Sequence, residues 1–235
     1  MPHSAPRPFV LLNMAMSADG KVATANRRIE TFGSAADHAH LLDLRVTTDA
    51  VLCGARTAGL PGVTLDPGGP DYQALRRKRG LKEFPLRIVV SGSASLDPQS
   101  HVLHHGRGPR LILVSRSAPA GRVRELRRHV DEVRAFGEHG VDLVAALRWL
   151  RRDLKVHRLV CEGGPELNDS MFRSGLIDEL HLTWCPVIAG GRSSPTWVEG
   201  LGVAKLGEAR RVRLHRIRRV GNETFLVYRV LAPHP

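Results

Sequence analysis

Apolar residues in this chain follow two spacings. Continuous short runs occupy residues 7–16, 50–54, 86–91, 110–115, 158–161 and 179–188, and residues 130–136 are a further candidate. Short apolar runs bounded by turn residues predict strands buried on both faces, as in a parallel sheet. Between them the spacing changes to that of a helix. Leu143, Val144, Leu147 and Leu150 mark a helix over 141–153, and Leu167, Met171 and Phe172 mark another that ends at Gly175. Leu41, Leu42 and Leu44 follow Ser34, an N-cap candidate, with Asp37 placed in the first turn where the helix dipole favours a carboxylate. Residues 71–79 read as a basic exposed helix and 59–70 as a glycine- and proline-rich loop. Residues 211–220 and 224–231 alternate well about Gly221-Asn222, a hairpin signal. The pattern predicts an α/β protein with a mostly parallel central sheet, helices on both faces and antiparallel C-terminal edge strands. No repeat or linker interrupts the chain, so residues 1–235 read as a single domain.

Composition narrows the functional classes. Aromatic residues make up 5% of the chain, too few for the stacking platforms of single-strand binding. The formal charge is +12 with a pI of about 10.8. Arginine is dense over 122–158 and 210–219, but it alternates with apolar residues as on solvated faces. Without a helix-turn-helix, zinc-finger or RNP pattern, nucleic acid is not the expected partner. Cys53, Cys161 and Cys185 sit in apolar surroundings and predict buried reduced thiols and a cytoplasmic protein. No signal-peptide pattern is read at the N-terminus, and no stretch approaches the roughly 18 apolar residues of a membrane span.

The chemically suggestive stretch runs from Leu159 through Cys161-Glu162-Gly163-Gly164-Pro165 to Asn168. It predicts strand, tight turn and helix. Proline is tolerated at the first helical position, and glycines let the backbone approach a ligand closely. A helix N-terminus presented this way suits an anion such as a nucleotide phosphate. The spacing is neither the dinucleotide fingerprint nor a Walker loop, and a plain strand-to-helix connection accounts for it equally well.

Several separated stretches together resemble the pyrimidine reductases of riboflavin biosynthesis, which share a dihydrofolate-reductase-like fold. These are Leu12 to Lys21, Asp49 to Thr57, Pro85 to Val90, Glu162 to Pro165, Gly175 to Leu180 and Pro186 to Gly191, in family order over nearly the whole chain. Bifunctional members carry a preceding zinc deaminase domain with His-x-Glu and Pro-Cys-x-x-Cys motifs; neither occurs here, so the reductase alone is expected. The resemblance implies hydride transfer from NADPH to the ring-opened ribosyl group of an aminopyrimidine ribosyl phosphate, by a homodimer. Such chemistry needs a positioned cofactor and no nucleophilic side chain. A relative acting on another heterocycle such as a pterin, or a non-catalytic nucleotide-binding protein of the same fold, are the alternatives.

By the same resemblance Glu162 and Lys21 are the catalytic candidates, with Glu162 on the substrate. Ala15, Gly54, Thr57, Gly163, Gly164, Leu167 and Asn168 match cofactor contacts. Ser91, Ser115 and Arg116 follow strands at positions suited to the cofactor's 2′-phosphate. Asn13, Asp19, Ser34, Asp37 and Arg45 match the substrate side, Arg45 as a phosphate fork. Each has a plainer reading as well: caps for Ser34, Asp37, Thr57 and Glu162, a helix C-terminal charge for Arg45, an exposed turn for Lys21. His101, His104 and His105 lack acidic or thiolate companions and predict a solvated loop with no metal. One departure stands out. After Thr57 the family's acidic pair is missing, and Asp66 stands where an arginine for the substrate phosphate is expected.

Overall fold

The computed structural model describes residues 6–26 and 32–231. Strand β1 (Phe9–Met16) leads to helix α1 (Ala35–Arg45), strand β2 (Ala50–Gly54) and the single turn α2 (Ala55–Ala58). Helix α3 (Pro70–Lys78), β3 (Leu86–Val90), α4 (His101–His104), β4 (Arg110–Val114), α5 (Ala120–Leu126) and β5 (Glu132–Ala135) follow. The chain continues through α6 (Leu143–Arg152), β6 (Arg158–Cys161), α7 (Pro165–Arg173) and β7 (Glu179–Trp184), and closes with the hairpin β8 (Val212–Val220) and β9 (Glu223–Val230).

Two compact units divide these elements. Among the described residues, one comprises residues 6–9 and 42–160, the other residues 10–26, 32–41 and 161–231. In the first, strands lie in the order β5-β4-β3-β2-β6, with β2, β3, β4 and β5 paired in parallel. The central strands expose almost nothing: Val51, Leu52, Ile88, Leu111, Ile112 and Leu113 are all buried, as their continuous apolar runs require. Asp142 caps α6 by accepting the Ala145 N–H at 2.9 Å, and α6 buries Leu143, Leu147 and Leu150.

In the second unit the order is β1-β7-β9-β8, parallel between β1 and β7 and antiparallel in β7/β9 and β8/β9. Strand β7 is shorter than the apolar run over 179–188 suggests. It stops at Trp184, just before Pro186, which has no N–H to give the ladder. Leu180, Leu182 and Phe225 are buried, whereas β8 is exposed along nearly its whole length.

Three local expectations need correction. Helix α3 is not exposed throughout, because Arg76 is fully buried. Its guanidinium donates to the carbonyls of Lys82 (2.9 Å), Thr48 (2.7 Å) and Arg45. The histidine-rich segment is not a solvated loop but the turn α4, which buries Val102 and Leu103. Thr57 does not cap a helix: it lies inside α2, and Gly54 occupies the N-cap position.

Candidate active site

Alternate residues of β1, β7 and β9 meet α1 within the second unit. Asn13 pairs in register with His181 and Ala15 with Thr183, while Phe225 and Val227 of β9 pair with Thr183 and His181. These residues share one side of the sheet, since side chains alternate along a strand. The His40 ring of α1 lies 5.3 Å from the His181 ring and edge-on to Phe225 at 5.4 Å, which identifies the helix covering that side.

At the base of this face runs a chain of polar contacts. Glu179 receives Arg229 at 2.8 Å and His181 Nε2 at 2.7 Å; His181 Nδ1 meets His40 Nε2 at 3.2 Å. The carboxylate fixes the tautomers. His181 donates from Nε2 to Glu179, so its Nδ1 accepts the Nε2–H of His40. Burial, together with the neighbouring His181 and Arg218, pushes His40 down to about 4, and burial also lowers His181. Both rings are therefore neutral at physiological pH.

Along this face, polar atoms lack partners among the described residues. Asn13 Oδ1, Asp37 Oδ1 and Thr183 Oγ1 are buried without a hydrogen bond. Thr183 is 1% exposed and Asn13 8%, so solvent does not satisfy them. Buried polar groups are normally paired, so these unpaired atoms are available as partners for a bound group. Asp37 stands at the edge of this set. Burial raises its carboxyl, and the like charge of Glu223 adds to the effect, against the Thr183 hydroxyl and His38. The Thr183 hydroxyl is placed as a hydrogen-bond donor towards this carboxyl, although the pair does not meet full hydrogen-bonding geometry. Glu223, itself buried, accepts from both Ser34 N and Ser34 Oγ at 2.6 Å and so ties the start of α1 to β9.

The glycine corner lies in the same unit. Glu162 follows β6 half-buried, and Gly163 and Gly164 are joined by a cis peptide. Gly163 has φ +79, and a Cβ there would lie 2.9 Å from Met14 Sδ, so only glycine fits without displacement. Pro165 occupies the first turn of α7, which buries Leu167 and Asn168. Asn168 Nδ2 donates to the Trp197 carbonyl at 2.6 Å and its Oδ1 faces the Cys161 thiol at 3.9 Å. That side chain builds the corner rather than projecting from it. Just after β1, Asp19 accepts Ser17 Oγ and the N–H groups of Ala189 and Gly190, which hold its carboxyl at about 2. Lys21 Nζ donates to the Ser194 carbonyl at 2.8 Å, leaving further ammonium protons for another acceptor.

In the first unit, Ser91 and Ser115 end adjacent parallel strands but are 2% and 3% exposed. Ser91 Oγ accepts the Ser95 and Leu96 N–H groups, and Ser115 Oγ donates to the Gly92 carbonyl. Their hydroxyls shape the turns, while Arg116 is exposed beside them. Arg45 is buried and donates to the Asp66 carbonyl at 2.6 Å, at the place where the family loop departs. No metal-binding cluster of His, Cys, Asp or Glu occurs among the described residues, and all three cysteines are buried.

Sequence reasoning passed over Thr183, His181, Glu179, His40 and Glu223. The signal was present in Glu179-x-His181-x-Thr183: polar residues at every second position of an otherwise apolar strand put three polar groups on one buried face.

Comparison with known proteins completes the picture. The RibD C-terminal domain pattern matches residues 8–226. A 2,5-diamino-6-ribosylamino-4(3H)-pyrimidinone 5′-phosphate reductase from Methanothermobacter thermautotrophicus is 37% identical over 224 residues, covering 95% of this chain and 99% of its own. The protein of that name from Archaeoglobus fulgidus is 34% identical, covering 92% and 94%. Among solved structures, a pyrimidine reductase-like protein from Corynebacterium diphtheriae superimposes with a TM-score of 0.78 at 22% identity, over 96% of this chain and 92% of its own. RibD from Acinetobacter baumannii superimposes with a TM-score of 0.76 at 17% identity; this chain covers 58% of that longer protein. These structures share the mixed α/β, dihydrofolate-reductase-like architecture that the sequence predicts. The chain belongs to the RibD C-terminal domain family.

Proposed function

We infer that this chain is a riboflavin-pathway reductase that uses NADPH to convert the ribosyl group of 2,5-diamino-6-ribosylamino-4(3H)-pyrimidinone 5′-phosphate into a ribityl group. The near-full-length likeness to archaeal reductases of that name supports the substrate. The geometric observation that carries the reading is the set of unpaired buried atoms Asn13 Oδ1, Asp37 Oδ1 and Thr183 Oγ1. A polyhydroxylated ribose and an amino-substituted ring offer the donors and acceptors these atoms lack.

The residues present fit a nicotinamide cofactor. Gly163 is buried against Met14, but the half-buried backbone of Gly164 at the start of α7 lets a ligand approach closely, and the half-buried backbone of Ala15 offers polar groups to a carboxamide. When bound, NADPH supplies the hydride. Glu162 orients the substrate, and Lys21 steadies its negative charge with the protons not given to Ser194. Arg116 is the candidate partner for the 2′-phosphate, since a guanidinium suits a phosphate monoester.

The test is turnover. Purified protein should consume NADPH with the diamino pyrimidinone ribosyl phosphate faster than with its deaminated counterpart, and far faster than NADH. Arg116→Ala should narrow the NADPH preference. Glu162→Ala should abolish turnover while NADPH fluorescence still reports binding; equal loss of both would remove Glu162 from the substrate side. Association as a homodimer is part of the same reading, through the exposed apolar positions Val212, Leu214 and Ile217 of β8. Light scattering should then report twice the 25.8 kDa chain mass, and Ile217→Asp should reduce it to one.

A further inference from the structure

We propose that Asp37 is the proton donor of the reaction, delivering its carboxyl proton to the ring oxygen of the substrate ribose as the C1′–O4′ bond breaks. The proposal rests on the reductase reading above and adds the step that reading leaves open. Hydride cannot add to C1′ while the ribose ring is closed. Opening the ring sends the C–O electron pair to O4′, which needs a proton, while the amine nitrogen lone pair forms the C1′=N bond of an iminium. C1′ then accepts the hydride, and the C=N pair returns to nitrogen. One proton and one hydride are consumed in all, and solvent restores the proton of Asp37.

Three structural observations place the acid at Asp37. Its Oδ1 is buried and unpaired, in company with the unpaired Asn13 Oδ1 and Thr183 Oγ1. Its other oxygen lies so close to the Gly33 backbone that a Cβ on residue 33 would come within 2.1 Å, so the carboxyl is confined on that side. Its helix is anchored by the paired Ser34–Glu223 bonds, so the carboxyl is held by structure rather than by a flexible loop. Its surroundings shift the carboxyl towards the protonated form. Burial and Glu223 of β9 favour the neutral acid, and only Thr183 of β7 and His38 of α1 oppose them. The remaining titratable groups are His40 on α1, Glu179 and His181 on β7, Cys185 beyond it, Arg229 on β9 and Arg218 on β8. His40 and His181 are lowered and neutral, and Cys185 is pushed up to about 12 by burial, so none of these three titrates beside Asp37 near neutrality.

The pH profile of kcat/KM is the test, because it reports groups of the free enzyme. The wild type should keep full activity on the acid side and lose it as pH rises through the elevated Asp37 titration. Asp37→Asn should lower kcat/KM by about 100-fold or more, flatten that limb and leave NADPH affinity unchanged. Glu223→Gln, which removes a like charge, should move the limb to lower pH. A wild type with no NADPH oxidation on any aminopyrimidine riboside would end the reductase reading itself. Turnover by the wild type with near-normal activity in Asp37→Asn would overturn the proton-donor role alone. If Asp37→Asn does not fold, an unmoved limb in Glu223→Gln overturns it instead.

Discussion

Thr183 carries a buried hydroxyl that meets no full hydrogen-bonding geometry among the described residues. It is 1% exposed, and Oγ1 has no partner among the described residues. An unsatisfied buried polar group costs about 1–3 kcal/mol, and valine is nearly isosteric with threonine. Thr183→Val should therefore raise the melting temperature by a few degrees while weakening kcat/KM, a trade that only a ligand-binding hydroxyl produces. A lower melting temperature with unchanged kinetics would make Thr183 structural. Arg76 is the opposite case. Burial lowers it only to about 10, so it stays charged at neutral pH and satisfies the carbonyls of Arg45, Thr48 and Lys82. Arg76→Met strips donors from two buried acceptors and a third that is partly buried, and should cost about 3 kcal/mol, a drop near 10 °C in thermal melting. Turnover at low temperature should survive, because Arg76 touches no proposed ligand.

At the scale of elements, the glycine corner is the place where backbone and site are one feature. Gly163→Ala would force an L-residue to φ +79 and press its Cβ on Met14 Sδ. The first cost is about 1–2 kcal/mol, and the second depends on how far the thioether yields. Met14→Ala in the same chain should recover the steric part and leave the conformational part, which a double-mutant cycle in denaturant separates. Full additivity would show that Met14 does not restrain the corner. The corner was legible in sequence because glycine and proline report backbone demands directly. Strands β2, β3, β4 and β6 were legible because strands buried on both faces have continuous apolar runs. Helices α4 and α5 were not. His101–His104 is one turn, stabilised by a distant residue: Arg87 of β3, 3% exposed, donates to the carbonyls of Val102 and His105. Ala120–Leu126 buries only Leu126, so no apolar stripe announces it. The polar face of β7 escaped for a related reason. His181 and Thr183 acquire meaning only when β1, β9 and α1 close over them, and those partners lie far away in sequence.

At the scale of the whole molecule, charge matters more than any single contact. The chain carries 35 lysines and arginines against 23 acidic residues. Many of the cations line exposed β8, where Arg213, Arg216, Arg218 and Arg219 all face solvent, and exposed positions such as Arg116, Arg148 and Arg152. Surface pairs such as Arg152–Asp153 and Arg128–Glu125 neutralise few of them and contribute little stability. An excess of this size creates a long-range field, and both proposed ligands are phosphorylated anions. Such a field raises the encounter rate without changing the bound geometry. Its reach shrinks from about 30 Å in 0.01 M salt to about 8 Å in 0.15 M. Raising salt over that range should lower kcat/KM severalfold and leave kcat nearly constant, since kcat is measured with ligands already bound. Replacing Arg213 and Arg219 of β8 with glutamine, at positions away from the site, should flatten the salt dependence of kcat/KM at low salt. A kcat that falls in step with kcat/KM would instead locate the salt effect in the folded site, and the excess charge would have no part in capturing the ligands.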